Sequence, residues 1–209
     1  MYGGTFAILI NMKPEIEAKF LQIDHGEFRQ KLAATGASCV SPLRLMRRAI
    51  IDYPDRRMQT GIPNSYIRIR NEGDKVTLTY KQFNSLTVTG AAEVEVVVSS
   101  FEDTIKIFTS IGLTVLSVQE SKRETWKLDG CEIMLDEWPW LDSYIEIEAN
   151  SEAEVRAATE KLGLEWSNAV FGDVMVAYRN QYPYLNENQT IGKLPEVLFD
   201  APLPDLLKD

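Results

Sequence analysis

The chain has 209 residues, 44% of them hydrophobic, which is enough for one sizeable core and a single domain. A net charge of -9 excludes a broad basic surface for nucleic acid or an anionic membrane, so any anion site has to be a local basic enclosure within an acidic shell. Cys39 and Cys131 lie far apart without CxxC spacing, which excludes a disulfide framework or a zinc cluster and reads as two buried free thiols in a reducing cytosol.

In chain order, the apolar run at 6–10 is too short for a signal-peptide core and lacks basic flanks. No stretch approaches the roughly 20 apolar residues of a membrane span, so a soluble, cytoplasmic protein is expected. Met12 is an alternative start that would leave residues 1–11 as an extension. Residues 15–20 alternate as a strand does, with Glu15, Glu17 and Lys19 on one face and Ile16, Ala18 and Phe20 on the other. Asp24 and Glu27 form a capping box that opens a helix, Phe28 and Leu32 share its inner face, and Gly36 stops it. His25, the only histidine, sits beside that cap and reads as a surface residue.

Strands are predicted next over 43–53, 66–70, 76–81 and 92–99, joined by polar loops at 54–64 and 85–90. Arg68 and Arg70 oppose Ile67 and Ile69; Lys81 shares a face with Thr77 and Thr79; Glu93 and Glu95 oppose Val94, Val96 and Val98. Ser100 with Asp103 opens a second helix that turns Ile105, Phe108 and Ile111 inward. A long strand at 115–128 puts Ser117, Gln119, Ser121, Arg123, Thr125 and Lys127 on one side. Strands at 132–137 and 144–149 follow, the latter with Glu146 and Glu148 opposite Ile145 and Ile147. Trp138 and Trp140, either side of Pro139, can floor an organic ring or pack a tight turn. Ser151 with Glu154 opens a third helix, buried through Val155, Ala158 and Leu162, and a fourth is predicted over 168–178. After Tyr182 the chain is Pro-rich and aperiodic, so 1–182 reads as the domain and 183–209 as an arm or a disordered tail.

Eight strands and few helices predict an α+β fold dominated by antiparallel sheet. One polar face of such a sheet often meets water. Here, however, Glu15/Glu17, Arg68/Arg70, Glu93/Glu95 and Glu146/Glu148 each set two like charges on one face, roughly 7 Å apart. Paired carboxylates suit a shared divalent cation, and paired arginines suit a polyanion. An eight-stranded antiparallel barrel with its ionised faces inward, and helices packed outside on the apolar faces, supplies both. No GxGxxG or P-loop pattern is present.

Glu15-Ile16-Glu17-Ala18-Lys19 resembles the ExExK signature of the CYTH superfamily, the triphosphate tunnel metalloenzymes. The pieces that follow resemble that family's motifs in order: Tyr66-Ile-Arg-Ile-Arg70, Leu78-Thr-Tyr-Lys81, Glu93-Val-Glu95, Lys122-Arg123, Asp136 and Tyr144-Ile-Glu-Ile-Glu148. The resemblance spans about residues 14–180 and implies a tunnel that holds a triphosphate with two divalent cations, Mg²⁺ or Mn²⁺. It implies Glu15, Glu17, Asp136, Glu146 and Glu148 as metal ligands. Lys19, Arg68, Arg70, Lys81, Arg123 and Lys122 would grip phosphate, and Glu15, Glu17, Lys19 and Glu148 would form the catalytic set. Two departures stand out. Where the family commonly has Lys-x-Arg, position 121 is Ser, and strict alternation turns Lys122 away from Arg123 unless a bulge intervenes. Ala91 and Ala92 stand where a basic residue often precedes the Glu93/Glu95 pair, so one phosphate contact is either lost or supplied by Arg44, Arg48 or Lys127.

The resemblance implies hydrolysis of inorganic triphosphate, thiamine triphosphate or a nucleoside triphosphate by metal-activated water. Its alternatives are an adenylate cyclase of the type found in the same superfamily and a non-catalytic polyphosphate-binding module. The partner expected is a small-molecule triphosphate or nucleotide, not nucleic acid or a membrane, and a homodimer is compatible with the sequence.

Overall fold

The computed structural model describes residues 12–61 and 63–209. The readings placed on the run at 6–10 and on 1–11 as an extension lie outside the described residues. Eight strands form a closed antiparallel barrel: β1 (Lys13–Phe20), β2 (Ser38–Asp52), β3 (Asn64–Asn71), β4 (Val76–Phe83), β5 (Ala91–Val98), β6 (Thr114–Leu128), β7 (Cys131–Trp138) and β8 (Leu141–Ala149). They are ordered β2-β3-β4-β5-β1-β8-β7-β6, and β6 returns to β2 to close the ring. Four helices accompany them: α1 (His25–Ala34), α2 (Phe101–Ser110), α3 (Glu152–Lys161) and α4 (Met175–Gln181). None is long and apolar enough to cross a membrane, among the described residues.

The apolar strand faces point outward, as their parity requires. Helices α1 and α3 cover β1, β7 and β8, burying Ala18, Phe20, Ile133, Ile145 and Ile147 with Phe28, Leu32, Val155 and Leu162. Helix α2 lays Phe101, with Ile105 and Phe108, over Ala49, Ile51 and Ile69. Burying each of the larger of these side chains, Val, Leu, Ile or Phe, stabilises the fold by about 1.5–3 kcal/mol, so this outer layer is the barrel's main hydrophobic support. The three expected caps form: Asp24 Oδ1 accepts from Glu27 N at 2.8 Å, Ser100 Oγ from Asp103 N at 3.1 Å and Ser151 Oγ from Glu154 N at 3.3 Å. The cover is incomplete. Ile111 follows α2 with 67% of its surface exposed, and Val94 and Val96 on β5 remain exposed.

Several expectations are corrected. Strand β2 begins at Ser38, not at 43; Pro42 lacks a ladder donor, and register shifts on either side of Ser41 absorb it. The helix predicted over 168–178 begins only at Met175, because Val170 bridges to Lys19 and Gly172 takes φ +120°, a conformation barred to most side chains. His25 is buried, with Nε2 2.9 Å from the Tyr144 carbonyl. Cys131 is buried but Cys39 is exposed, and both are free.

Residues 183–209 run back over the barrel as an ordered arm. Within it, β9 (Glu196–Val197) pairs in parallel with β6 at Val118 and Gln119, on the stretch that precedes β7's pairing. Ile191, Val197 and Leu207 bury themselves with Trp138, Tyr144, Met175 and Tyr178. Trp140 donates to the Ala201 carbonyl at 3.0 Å, and Arg56 to the Gly192 carbonyl at 3.2 Å.

Candidate active site

The inner faces of the strands enclose a cavity of about 970 Å³, and α4 and the arm contribute to its lining. Cross-strand register sets the charges side by side: Lys19 opposite Glu146, Glu17 opposite Glu148, Lys81 opposite Glu93 and Arg123 opposite Asp136. Ion pairs then link neighbouring strands around the ring. Lys19 Nζ lies 2.7 Å from Glu17 and 3.2 Å from Glu146. Arg123 forks onto Asp136 and reaches Glu146 at 2.7 Å. Lys81 pairs with Glu15. Arg70 pairs with Glu72 at 2.7 Å, Arg44 reaches the same carboxylate at 3.1 Å, and Arg68 contacts Glu95 at 3.4 Å.

Burial disfavours each of these charges, so their partners decide their state. Burial opposes the Lys19 and Lys81 ammonium groups, yet Glu146 with Glu17, and Glu17 with Glu15, hold them above the usual lysine value. Burial likewise opposes the Glu146 carboxylate, but Lys19 and Arg123 hold it well below the ordinary range. Glu148 has the opposite surroundings. Burial and then Glu15, Glu17, Glu146 and Glu132 push its carboxyl up to about 7. Burial and Glu15 do the same to Glu93, also to about 7, against Arg68 and Lys81. One part of the cavity is thus over-supplied with carboxylates, whereas Arg48, Arg68, Arg70 and Arg123 crowd another.

Of the sequence-predicted residues, Glu15, Glu17, Lys19, Arg68, Arg70, Lys81, Arg123, Glu146 and Glu148 all line the cavity. Asp136 is fully buried beneath Arg123. Lys122 is not brought in. The β6–β7 register runs unbroken through Lys122/Glu137 and Arg123/Asp136, so no bulge turns it, and its Nζ sits 3.5 Å from Glu137 and over the Phe199 ring of the arm. Lys127 is likewise off the cavity, 3.4 Å from Glu132, whereas Arg44 and Arg48 line it. Trp138 borders the cavity with one face covered by the Arg48 guanidinium, 4.4 Å from the ring centroid; Trp140 is held against the arm.

Other lining residues were not singled out from the sequence. Glu132 shares the parity of Met134 and Asp136, and Glu72 shares that of Arg70, so carrying each alternation two residues further finds both. Glu93 and Glu95 stand out in the sequence as a like-charge pair and a motif piece, but not among the assigned metal or phosphate ligands. Arg56, Arg179 and Lys193 come from a loop, a short helix and the arm, which carry no period to reveal them. Among the described residues no three acidic side chains already converge as a metal cage, since most of these carboxylates are drawn to lysine or arginine. Their hard oxygen donors still fit a divalent cation, and Glu148, walled in by carboxylates, is the group whose charge most needs one.

The comparisons with known proteins agree with this architecture. A putative adenylate cyclase from Vibrio parahaemolyticus superposes with a TM-score of 0.67 at 10% identity, covering 80% of this chain and 98% of that one. A conserved hypothetical protein from Pyrococcus furiosus gives 0.61 at 21% identity, covering 74% and 94%. A putative adenylyl cyclase from Hippeastrum that reveals a dominant triphosphatase activity gives 0.54 at 15% identity, covering 80% and 96%. At these identities the likeness is one of fold. No curated protein matches the chain. The family model described as CYTH domain matches residues 13–169, a span that holds all eight strands and the ionised interior. The chain belongs to the CYTH domain family.

Proposed function

We propose that the protein is a divalent-metal-dependent hydrolase of triphosphate-containing substrates, inorganic triphosphate, thiamine triphosphate or a nucleoside triphosphate. The observation that carries the reading is the division of the cavity's charge: Arg68, Arg70 and Arg123 crowd one part, and Glu15, Glu17 and Glu148 crowd the other. A polyphosphate answers the first and a divalent cation the second, and an anion binder alone has no use for Glu148, a carboxylate set among Glu15, Glu17 and Glu146 with no cationic partner among the described residues. Glu15, Glu17, Glu146 and Glu148 are the cavity residues that would hold Mg²⁺ or Mn²⁺, whereas Asp136 is buried with both carboxylate oxygens taken by Arg123. Such an ion, when bound, neutralises phosphoryl oxygens and activates water. Lys19, Lys81, Arg68, Arg70 and Arg123 would bind and orient the phosphate chain, the arginines as forks and the lysines as point charges. Lys19, Lys81, Arg68 and Arg70 are all buried in the barrel wall.

A cyclase of the same superfamily needs a nucleoside held so that its hydroxyl faces the α-phosphorus. The two tryptophans offered for that role are engaged elsewhere: Trp138 carries Arg48 and Trp140 is bonded to the arm. Hydrolysis is therefore the reading adopted. With Mg²⁺ or Mn²⁺, inorganic triphosphate is expected to be split at least as fast as ATP, with orthophosphate released and no cyclic nucleotide. Cyclic AMP and pyrophosphate formed faster than terminal phosphate would reverse the assignment.

The carboxylate cluster also sets a pH dependence. Glu148 and Glu93 have raised values in the folded protein, so the native state binds more protons than the unfolded chain between about 4.5 and about 7. Their contribution to stability is therefore lost as pH rises through that window, leaving metal-free protein with an ionised, repelling cluster. A divalent cation competes with those protons. The rise in melting temperature on adding saturating Mn²⁺ is expected to be several-fold larger at about pH 8 than at about pH 5.5. An equal rise at both would contradict metal binding at this cluster.

A further inference from the structure

Among the described side chains, each cation on the inner strand faces touches a carboxylate, with one exception. Lys19, Arg44, Arg68, Arg70, Lys81 and Arg123 all have acidic partners. Arg48, on β2, has none among the described residues. It is 92% buried by area, since only 8% of its surface is exposed. Its single side-chain hydrogen bond runs from Nη2 to Ser121 Oγ at 2.6 Å, and its Nε–H has no partner. The guanidinium carbon sits 4.4 Å from the Trp138 ring centroid, a cation–π contact that holds the group against the ring on one side. Burial, then the charges of Arg68, Arg70 and Arg123, depress its pKa to about 9, so the ligand-free protein holds this cation at a cost.

A buried guanidinium that touches no carboxylate, on the wall of a cavity, is explained if its contacting counter-charge arrives with the ligand. We infer that Arg48 is a phosphoryl-binding residue of this cavity, aimed by Trp138 and Ser121 at an oxygen-rich anionic group of the substrate. The inference rests on the proposed triphosphate reading and names a contact not carried by the motif residues. It also accounts for Ser121. Arg48 pairs across the β2–β6 ladder with Gln119, one step along the same inner face, and its Nη2 reaches the small hydroxyl at 121. A basic side chain at 121 would bring a second positive charge against this guanidinium. Lys122 is no substitute, because it faces Glu137 outside.

The test is equilibrium binding of inorganic triphosphate and of ATP in chelator, so that no turnover intervenes, to wild type, Arg48→Gln, Arg48→Lys and Arg70→Gln, with the melting temperature of each ligand-free protein. Arg48→Gln is expected to bind both ligands about ten- to a hundredfold more weakly, because a charge-assisted contact is lost. Arg48→Lys should recover part of that loss. Ligand-free Arg48→Gln should melt no lower than wild type, since an uncompensated buried cation has gone; a merely structural arginine would lower it. Wild-type affinity in Arg48→Gln, alongside weakened binding in Arg70→Gln, overturns the Arg48 assignment and leaves the triphosphate reading standing. A loss confined to ATP also overturns it, because the contact would then be to the nucleoside. A wild type that binds neither ligand, in chelator or with a divalent cation present, removes both.

Discussion

Arg123→Met is expected to cost the ligand-free fold about 3–5 kcal/mol, more than any other single change on the inner wall. Arg123 bonds Asp136 through Nε at 2.7 Å and through Nη2 at 2.5 Å, and that same Nη2 reaches Glu146 at 2.7 Å, so it ties β6 to β7 and β8 at one point. Burial disfavours its charge, but Asp136 and Glu146 more than offset this and hold its pKa well above the ordinary arginine value. Removing it strands Asp136, which has no exposed surface, beside a second carboxylate. Methionine fills the space without supplying a donor, so the penalty reflects the unpaired charge and not a cavity. For a chain of this length that is a fall in melting temperature on the order of 10 °C. Adding Asp136→Asn should return part of the loss, since a neutral amide is cheaper to bury than a lone carboxylate. Arg123→Met within about 1 kcal/mol of wild type in denaturant titration would show that the triad is solvated and not a buried tie.

What was legible in the sequence divides along the line of periodicity. The strand faces could be read because burial on one side forces an alternation of two, and the like-charge pairs showed that the other side was not ordinary surface. That logic turns Glu15, Arg68 and Glu146 toward one interior, and all three line the cavity. It also failed where alternation is interrupted by backbone chemistry. Pro42 hid the first third of β2, and Gly172 with the Val170 bridge delayed α4. The arm was opaque for a different reason. Its place is fixed by single anchors, such as Trp140 to Ala201 and Phe199 N to Glu120, which leave no repeating signature. Lys122 illustrates the opposite error. A motif match counted it in by neighbourhood, and the unbroken β6–β7 register puts it outside. Arg48 was offered only as one of three substitutes, because its distinguishing property, a missing counter-charge, exists only in three dimensions.

The second large effect is expected from the acidic side of the cavity. Turnover should fall to background in excess EDTA and return with Mg²⁺ or Mn²⁺, because Glu148, surrounded by carboxylates and paired with no cation among the described residues, is proposed to work only when a divalent ion is supplied. Glu148→Gln keeps the side chain's shape and removes one charge. It should therefore lower kcat by about a hundredfold while changing KM little, the pattern of an interaction realised in the transition state. Arg70→Ala removes a fork from the basic side, where Glu72 is its partner at 2.7 Å. It should raise KM as well as lower kcat, with a combined loss of about ten- to a hundredfold for one charge-assisted contact. The contrast matters more than either value. If the acidic residue acted only by folding the barrel, Glu148→Gln would lower stability and leave the rate per folded molecule intact; removing a repelled carboxylate predicts the reverse, an unchanged or higher melting temperature with a lost rate. Full turnover in chelator, or Glu148→Gln at wild-type rate, would remove the carboxylates from the chemistry and leave the cavity as an anion-binding chamber.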